Sequence, residues 1–167
     1  MKIAIISDSH DHLDNMKKVL GAVKDTDAMI FCGDGCAPFA WEFLADNYSK
    51  PIYAVLGNVD GDWNRITDRM LQRKHVKLDP ELGEVELGGK KIAINHYTAI
   101  GRLIAASGQY DLVCCGHTHK VETKESGKAL MVNPGDVMGR FDNKAHYAIY
   151  DTETGKVELK QIDANPA

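Results

Sequence analysis

The stretch Met1-Lys2-Ile3-Ala4-Ile5-Ile6-Ser7-Asp8-Ser9-His10 joins an apolar run to two side chains that can bind metal. The run is rich in isoleucine and carries no charge after Lys2, which is typical of a strand buried on both faces of a parallel sheet. Ligands of α/β sheets bind beyond the carboxyl ends of the strands, which is where Asp8 and His10 stand. This stretch therefore predicts a buried first strand, an α/β fold and a site at the end of that strand.

Two more strands of the same kind follow, at residues 28–32 and 52–56, and helical patterns separate the three strands. The second helical pattern, in residues 41–48, is less regular than the first. This β-α-β-α-β order predicts parallel strands that are joined by right-handed crossovers. The first helical pattern consists of Leu13, Met16, Val19, Leu20 and Val23.

The second half of the chain has the pattern of antiparallel strands. Residues 84–87 alternate polar and apolar side chains, Gly88-Gly89 permits a tight turn, and residues 91–94 form the returning arm of a hairpin. A short helix is predicted from Ile100 to Ser107. The charged residues 61–80 show weak periodicity, and we interpret them as a mobile helix or a lid. Further strands are predicted at residues 112–115, 121–125, 129–133, 145–151 and 156–162.

Length and composition are those of one α/β domain spanning residues 1–167. The chain has a mass of 18.4 kDa, and 44% of its residues are hydrophobic and 26% are charged. The net charge of -4 does not indicate a nucleic-acid or membrane surface, because such surfaces need clustered basic residues. No apolar stretch approaches the ~20 residues of a membrane span, and no signal-peptide pattern is present. The composition is therefore that of a soluble enzyme or binding protein.

The four cysteines predict a reducing compartment. Cys32, Cys36, Cys114 and Cys115 include no Cys-x-x-Cys pair, so neither a zinc ribbon nor a disulfide framework is indicated. We therefore expect free thiols in a cytoplasmic protein.

Seven side chains that can bind metal follow the predicted strands, in five separate loops. Because the carboxyl ends of parallel strands meet at one edge of a sheet, we expect the fold to bring these loops together. The candidate ligands are Asp8, His10, Asp34, Asn58, His96, His117 and His119.

Considered alone, most of these residues have a structural alternative. Asp8 and Asn58 are typical helix caps, and Asp34 after Gly33 is typical of a turn. A single histidine such as His96 is more often a half-buried, hydrogen-bonded side chain than a ligand. Considered together, the residues favour metal binding, because helix capping does not account for histidines in three of the five loops.

The spacing of His117 and His119 supports the metal interpretation. Alternate residues at the end of a strand point to the same side, as two imidazoles that serve one site must. Imidazole, carboxylate and amide ligands together suit Mn, Fe, Ni, Co or Zn better than Ca or Mg. One bridging carboxylate would let seven residues serve two ions. We predict two divalent metal ions per chain, with Mn as first choice and Ni, Fe, Co and Zn as alternatives.

The order of these motifs carries a family resemblance. Asp-x-His, Gly-Asp, Gly-Asn, His and Gly-His-Thr-His, in that order, resemble the calcineurin-like metallophosphoesterase superfamily. The short length, the opening strand and the turn Asn133-Pro134-Gly135 resemble its small prokaryotic phosphodiesterase branch, which is related to the retromer scaffold subunit. The resemblance covers nearly the whole chain.

This resemblance implies a four-layer αββα sandwich of two mixed sheets flanked by helices. It also implies a small phosphodiester substrate, attacked in line at phosphorus by a metal-activated water or hydroxide. We expect Asp34, Asn58 and His117 to take part in catalysis as well as in metal binding. The implied ligands are Asp8, His10 and His119 for one ion, Asn58, His96 and His117 for the other, and Asp34 between them.

Two positions depart from the family pattern. Many members have a histidine where this chain has Val59, and that histidine stabilises the transition state or protonates the leaving group. Its absence argues against efficient monoester hydrolysis. Asp60 lacks a preceding histidine to orient, so we predict that Asp60→Ala is milder than Asp34→Ala. Tyr97 replaces a glycine that is frequent after His96, and both substrate contact and packing are open for it.

Other residues and functions are weaker candidates. We interpret His12 as an exposed first-turn residue and Cys36 as an unligated thiol near the site. Arg65, Arg102, Lys120 and Arg140 are candidate phosphate contacts, although solvated charges are the simpler interpretation. The alternative functions are a protein-interaction scaffold of the same fold, a phosphomonoesterase and a cyclic-nucleotide phosphodiesterase. A scaffold has no need of a full ligand set, and here all seven positions hold competent residues. Neither a membrane nor a nucleic-acid partner is indicated, and a homo-oligomer is open.

Overall fold

Eleven strands and four helices make up residues 1–165, the part of the chain that this computed structural model describes. The first half contains β1 (Lys2–Ile6), α1 (Leu13–Ala22), β2 (Ala28–Phe31), α2 (Pro38–Asn47), β3 (Ile52–Ala54), α3 (Trp63–Leu71) and β4 (Val76–Leu78). The second half contains β5 (Gly83–Leu87), β6 (Lys90–Tyr97), α4 (Thr98–Ala106), β7 (Leu112–Gly116), β8 (Val121–Ser126), β9 (Ala129–Pro134), β10 (Lys144–Asp151) and β11 (Lys156–Asp163).

The strands form two mixed sheets. The first sheet has the order β11-β10-β1-β2-β3-β4, and the second has the order β5-β6-β7-β9-β8. Strands β1 to β4 are parallel to one another, as the alternation of strands and helices predicts. Strand β10 is antiparallel to β1, and β11 is antiparallel to β10. In the second sheet β6, β7 and β9 are parallel, and β5 and β6 form the predicted hairpin.

Alternation along the strands produces three separate layers of apolar core. In β1, Ala4 and Ile6 pack with the helices α1, α2 and α3, whereas Ile3 and Ile5 face the second sheet. In β7, Leu112 and Cys114 face the first sheet, and the intervening Val113 packs towards α4. Helices therefore cover the outer faces of both sheets. The predicted four-layer αββα sandwich is confirmed.

Residues 61–80 differ from the sequence interpretation. They contain α3, capped by the Asp62 side chain, which accepts a hydrogen bond from the Arg65 backbone N–H. Ile66 and Met70 are buried in the core layer beside the first sheet, so the helix is packed there instead of forming a separate lid. The segment then forms β4, an edge strand that sequence reasoning misses because it is only three residues long and half-buried.

The helices are short. Each spans nine or ten residues, and none in residues 1–165 is long and apolar enough to cross a bilayer.

Candidate metal centre

The seven predicted ligands gather at one edge of the two sheets, in two clusters. They lie at or just beyond the carboxyl ends of β1, β2, β3, β6 and β7, all of which are parallel strands within their sheets. The first cluster consists of Asp8, His10 and His119. The second cluster consists of Asp34, Asn58, His96 and His117.

In the first cluster, two imidazoles and a carboxylate converge. Nε2 of His10 lies 3.1 Å from Nε2 of His119, and the two rings stack with their centroids 4.8 Å apart. Oδ1 of Asp8 lies 3.8 Å from Nε2 of His10 and 3.6 Å from Nε2 of His119. Asp8 is fully buried, and its carboxylate also accepts the backbone N–H of His117 at 3.0 Å. The three potential donor atoms therefore face one point.

The second cluster is organised around the amide oxygen of Asn58. This Oδ1 atom lies 2.9 Å from Nε2 of His96 and 2.7 Å from Nδ1 of His117. Nε2 of His96 is also 3.3 Å from Oδ2 of Asp34. His96 lies within a register shift between Ile94 and Tyr97, and such irregularities commonly re-aim a side chain next to a site.

Asp34 is shared by the two clusters. Its Oδ2 atom, 3.3 Å from Nε2 of His96 in the second cluster, is 3.8 Å from Nε2 of His10 in the first. Its other oxygen, Oδ1, accepts the backbone N–H of Val59 at 3.0 Å. One carboxylate oxygen therefore faces both clusters, which is the position a bridging ligand needs.

Burial and charge act in opposite directions on the titratable groups. Burial alone would lower the pKa of His96, but the hydrogen bond and negative charge of Asp34 outweigh it, so this pKa is raised. For His10, burial is likewise outweighed, by the nearby carboxylates of Asp8 and Asp34, and its pKa is raised. Burial would raise the pKa of Asp34, but the hydrogen bond from His96 and that residue's charge lower it. The carboxylates therefore favour the protonated, positively charged forms of His10 and His96.

Five of the seven predicted ligands have a strained backbone. Positive φ angles are uncommon for residues other than glycine, and they cluster at functional sites where the surrounding structure holds them. Here the loops are tied together by main-chain hydrogen bonds, among them those from Asp8 N to Gly33 O and from His10 N to Asp34 O, each 3.0 Å long. The strained ligands and their φ angles are Asp8 (55°), His10 (43°), Asp34 (58°), His117 (72°) and His119 (59°).

The glycines that precede two ligands are required for close approach. A Cβ on Gly57 would stand 2.1 Å from Oδ1 of Asp34, and a Cβ on Gly116 would stand 1.9 Å from Oγ of Ser7. Any larger residue would push the loops apart. The Gly-Asn and Gly-His pairs of the sequence are thus packing requirements of the clusters.

Sequence reasoning misses the groups that orient the ligand histidines. Nδ1 of His119 donates to Oδ2 of the buried Asp136 at 2.7 Å, and Nδ1 of His96 donates to the carbonyl of Cys32 at 2.8 Å. Such bonds keep the ring proton on Nδ1 and so fix the tautomer. Nε2 is then unprotonated and available to a metal. Asp136 directly follows the Asn133-Pro134-Gly135 turn, and this position is the only sequence signal for it.

Asp60 has a larger structural role than its sequence context indicates. It is buried, and its carboxylate accepts the backbone N–H groups of Asp34, Cys36 and Gly57 and the indole N–H of Trp41, at 2.7–3.0 Å. Burial raises its pKa, and these hydrogen bonds only partly offset that effect. Asp60 therefore ties the loop after β2 to the loop after β3.

The secondary candidates have varied positions. His12 caps α1, since its Nδ1 accepts the backbone N–H of Asn15. It lies at the start of the helix as expected, but it is half-buried, so the prediction of an exposed residue is wrong. Sγ of Cys36 lies 3.5 Å from Nδ1 of His10, and burial, followed by nearby carboxylates, raises the pKa of this thiol to about 12. All four cysteines are free, as predicted. The ring of Tyr97 packs edge-on against the rings of His96 and His117.

The candidate phosphate contacts are dispersed. Arg102 makes a surface ion pair with Glu122, at 2.7 Å, outside both clusters. Arg140 lies over the ring of Phe141, which in turn packs near His119. For Arg65 and Lys120 the structure records exposed side chains, and no contact brings either of them to the clusters within residues 1–165.

A cavity of about 450 Å³ opens beside the second cluster. It has two of the cluster's side chains in its wall, together with aromatic and aliphatic residues from α3 and α4. The lining residues are Leu56, Gly57, Asn58, Trp63, Pro80, Glu81, Asn95, His96, Tyr97 and Ile100.

The donor set fits two divalent transition-metal ions. Ligands that each lie ~2.0–2.2 Å from one ion are at most ~4.4 Å from one another, and the 2.7–3.8 Å separations within the clusters satisfy this limit. Four imidazoles, two carboxylates and an amide oxygen are a mixed nitrogen and oxygen set that such ions accept. The two clusters are consistent with a binuclear metal site.

Comparison with known proteins points to one family. A family model described as the Calcineurin-like phosphoesterase superfamily domain matches residues 1–155. Phosphodiesterase MJ0936 of Methanocaldococcus jannaschii is 31% identical over 166 residues, which cover 97% of this chain and 98% of that protein. The solved structure of a novel archaeal phosphodiesterase matches with a TM-score of 0.89 at 29% identity, over 97% of this chain and 100% of that one.

A more distant likeness concerns the fold alone. Vps29 from Entamoeba histolytica matches with a TM-score of 0.66 at 18% identity, over 99% of this chain and 100% of that one. The match over residues 1–155, the 31% identity and the shared architecture lead to one conclusion. The chain belongs to the calcineurin-like phosphoesterase superfamily, within its small phosphodiesterase branch.

Proposed function

We propose that this protein is a binuclear metal-dependent phosphodiesterase. The observation that carries the proposal is the placement of Oδ2 of Asp34, which faces His10 in the first cluster and His96 in the second. A carboxylate between two ligand sets is what a pair of neighbouring ions requires. The phosphodiesterase MJ0936 and the archaeal phosphodiesterase structure support the same reaction class.

The residues of each cluster would hold one ion. We assign Asp8, His10 and His119 to the first ion, and Asn58, His96 and His117 to the second, with Asp34 as the bridge. Two bound ions would supply a water of lowered pKa and positive charge for the phosphoryl oxygens during in-line attack. Mn fits this mixed donor set and is our first choice, with Ni, Fe, Co and Zn as alternatives.

The protein side chains would position the substrate and the ligands. Asn58 and His117 are the exposed members of the second cluster, so they are the ligands that an incoming phosphoryl group meets first. Asp136 keeps the Nδ1 proton of His119 and thereby directs Nε2 of that ring towards the first cluster. We accordingly assign direct catalytic contact to Asp34, Asn58 and His117, and a positioning role to Asp136.

Position 59 favours diesters over monoesters as substrates. Val59 is 43% exposed beside Asn58, and its side chain cannot donate a proton. An alkyl monoester has a poor leaving group that benefits from protonation, whereas an aryl diester needs little. A diester also carries less negative charge, and no Lys or Arg is among the described residues of the adjoining cavity.

The test compares substrates at equal metal loading. The manganese-loaded protein should hydrolyse bis(p-nitrophenyl) phosphate with a higher kcat/KM than an alkyl phosphate monoester. Metal analysis should find two ions per chain, and anomalous scattering should place them beside Asp34. A preference for the alkyl monoester, or ions bound elsewhere, would contradict the proposal. The cytoplasmic location stays a prediction from the sequence.

A further inference from the structure

The cavity beside the second cluster is mainly apolar and aromatic. Trp63 is 43% exposed, Tyr97 is 39% exposed and Ile100 is 42% exposed, and all three line it. Large apolar side chains are seldom left in solvent together without a binding role. Leu56 and Pro80 extend the same wall. This surface therefore presents two aromatic rings and three aliphatic side chains to one opening.

The cavity is continuous with the metal centre. Asn58 and His96 belong both to the second cluster and to the cavity wall. Tyr97 connects the two, since its ring lies 4.8 Å from that of His117 and 5.2 Å from that of His96. A phosphoryl group at the second cluster would consequently place one of its ester groups in the cavity.

Size and charge restrict what that ester group is. At about 450 Å³ the cavity is much larger than a methyl or ethyl group and is within the usual range for small-molecule sites. Its described lining includes no Lys or Arg, and the carboxylate of Glu81 would repel a second phosphate. Exposed Trp and Tyr side chains bind flat rings by stacking, which is tolerant of the identity of the ring.

We propose that this cavity is a specificity subsite that binds a planar aromatic group esterified to phosphorus, of the nucleobase or aryl kind. The inference rests on the proposed phosphodiesterase function and names its substrate class. Trp63 and Tyr97 provide the stacking surfaces, and Ile100 closes the apolar wall. The metal centre acts on phosphorus, and the cavity selects which diesters reach it.

The test measures binding within matched series of diesters. Dimethyl, dihexyl and diphenyl phosphate and dithymidine monophosphate serve as competitors of methyl p-nitrophenyl phosphate hydrolysis by the manganese-loaded protein. We expect diphenyl phosphate and dithymidine monophosphate to bind about tenfold more tightly than dimethyl phosphate. Trp63→Ala should remove most of this ratio, and Trp63→Phe should retain it. Because each ratio is taken within one variant, general damage to the site cancels.

Controls come from the same helices. Leu71 lies on α3 like Trp63 and is 71% exposed, and Leu103 lies on α4 like Ile100 and is 73% exposed, but neither lines the cavity. Leu71→Ala and Leu103→Ala should leave the ratio unchanged. An unchanged ratio in Trp63→Ala would overturn the inference, as would dihexyl phosphate binding as tightly as diphenyl phosphate, because apolar bulk alone would then suffice.

Calorimetric titration separates this inference from the proposed function. It gives the dissociation constants of the same diesters without turnover. Absence of hydrolysis of every diester would count against the phosphodiesterase proposal alone. A calorimetric preference for the aromatic diesters, lost in Trp63→Ala, would still support the subsite, and no such preference would refute it.

Discussion

The first cluster is enclosed, whereas the second is open on the side of the cavity. Asp8 is fully buried and His10 and His119 are partly buried, while Asn58 and His117 are exposed. The first cluster also carries more negative charge than the second. The first cluster has the carboxylate of Asp8 in addition to the shared Asp34, but the second has only the shared carboxylate and a neutral amide.

This difference in burial and charge suits the two clusters to different roles in a two-metal site. A divalent ion in the first cluster would meet two carboxylates in a partly buried setting, so it should be held more firmly. An ion in the second cluster would be held less firmly, next to exposed ligands and the apolar cavity where a substrate enters. The enclosed half is therefore suited to retaining metal and the open half to receiving the phosphoryl group.

Asp34→Ala should have the largest effect and should remove the difference between the two clusters, because both clusters share Asp34. Asp34→Ala should lower kcat/KM by about 1,000-fold, since it removes about 4 kcal/mol of charge stabilisation from both ions together. Metal analysis and diester kinetics measure this. Asp25→Ala, at an exposed aspartate, is the control. Full retention of the second ion, with activity near that of the wild type, would show that Asp34 serves the first cluster alone.

Asp60 tests the scaffold that both clusters share. Asp60→Ala leaves three backbone N–H groups and the Trp41 indole without their acceptor, so the free energy of unfolding should fall by about 3 kcal/mol. Urea denaturation measures this. At full metal loading we expect a smaller loss of kcat/KM than for Asp34→Ala. Equal losses of kcat/KM in the two folded variants would mean that the loops need Asp60 for catalysis as much as for stability.

Asp136 allows the metal affinities of the two clusters to be tested separately, because it contacts only the first cluster. Metal titration of the wild type should resolve two affinities at least about tenfold apart. Asp136→Asn should weaken the tighter site by about 10- to 100-fold and leave the weaker one in place, since the bond that orients His119 is altered. Asp142→Asn, in the exposed loop before β10, is the matched control. Weakening of the second ion alone would reverse our assignment of the firmer site.

A substitution at Val59, on the open side of the site, should have the smallest effect on kcat/KM. Val59→His should raise kcat/KM for an alkyl monoester by about tenfold, because a proton donor is added beside Asn58, while the aryl diester rate should change little. Leu159→His, at a residue of equal 43% exposure on β11, controls for an added surface imidazole. No gain with the monoester would mean that a group other than residue 59 limits its hydrolysis.

Strand-end motifs identified the candidate ligands in the sequence. Asp8, His10, His117 and His119 each follow a buried apolar run, and the fold brings such positions to one edge of the sheets. All seven predicted ligands lie in the two clusters. The four layers were predicted from the family resemblance, and the buried apolar strands and the helical patterns between them agree with it. By contrast β4, with only three residues and none of them fully buried, carries too little pattern to be recognised.

The carboxylates that support the predicted ligands were not predicted in this way. Asp136 contacts a histidine 17 positions away, and Asp60 contacts backbone groups as far as 26 positions away. Their contacts could not be predicted from sequence position, because a carboxylate that accepts hydrogen bonds can be supplied from any loop that passes near. The sequence context of Asp60 even argues for a minor role, since the family histidine before it is missing.

The amino-acid sequence was enough to predict the residues of the candidate metal site, because ligand chemistry is a property of residue type and strand ends can be recognised from apolar runs. It did not indicate that the second cluster is the exposed one, or that Trp63 and Tyr97 share a cavity with that cluster. Those relations are distances between segments that are remote in the chain. They arise from the packing of two sheets and their helices, which no local pattern encodes.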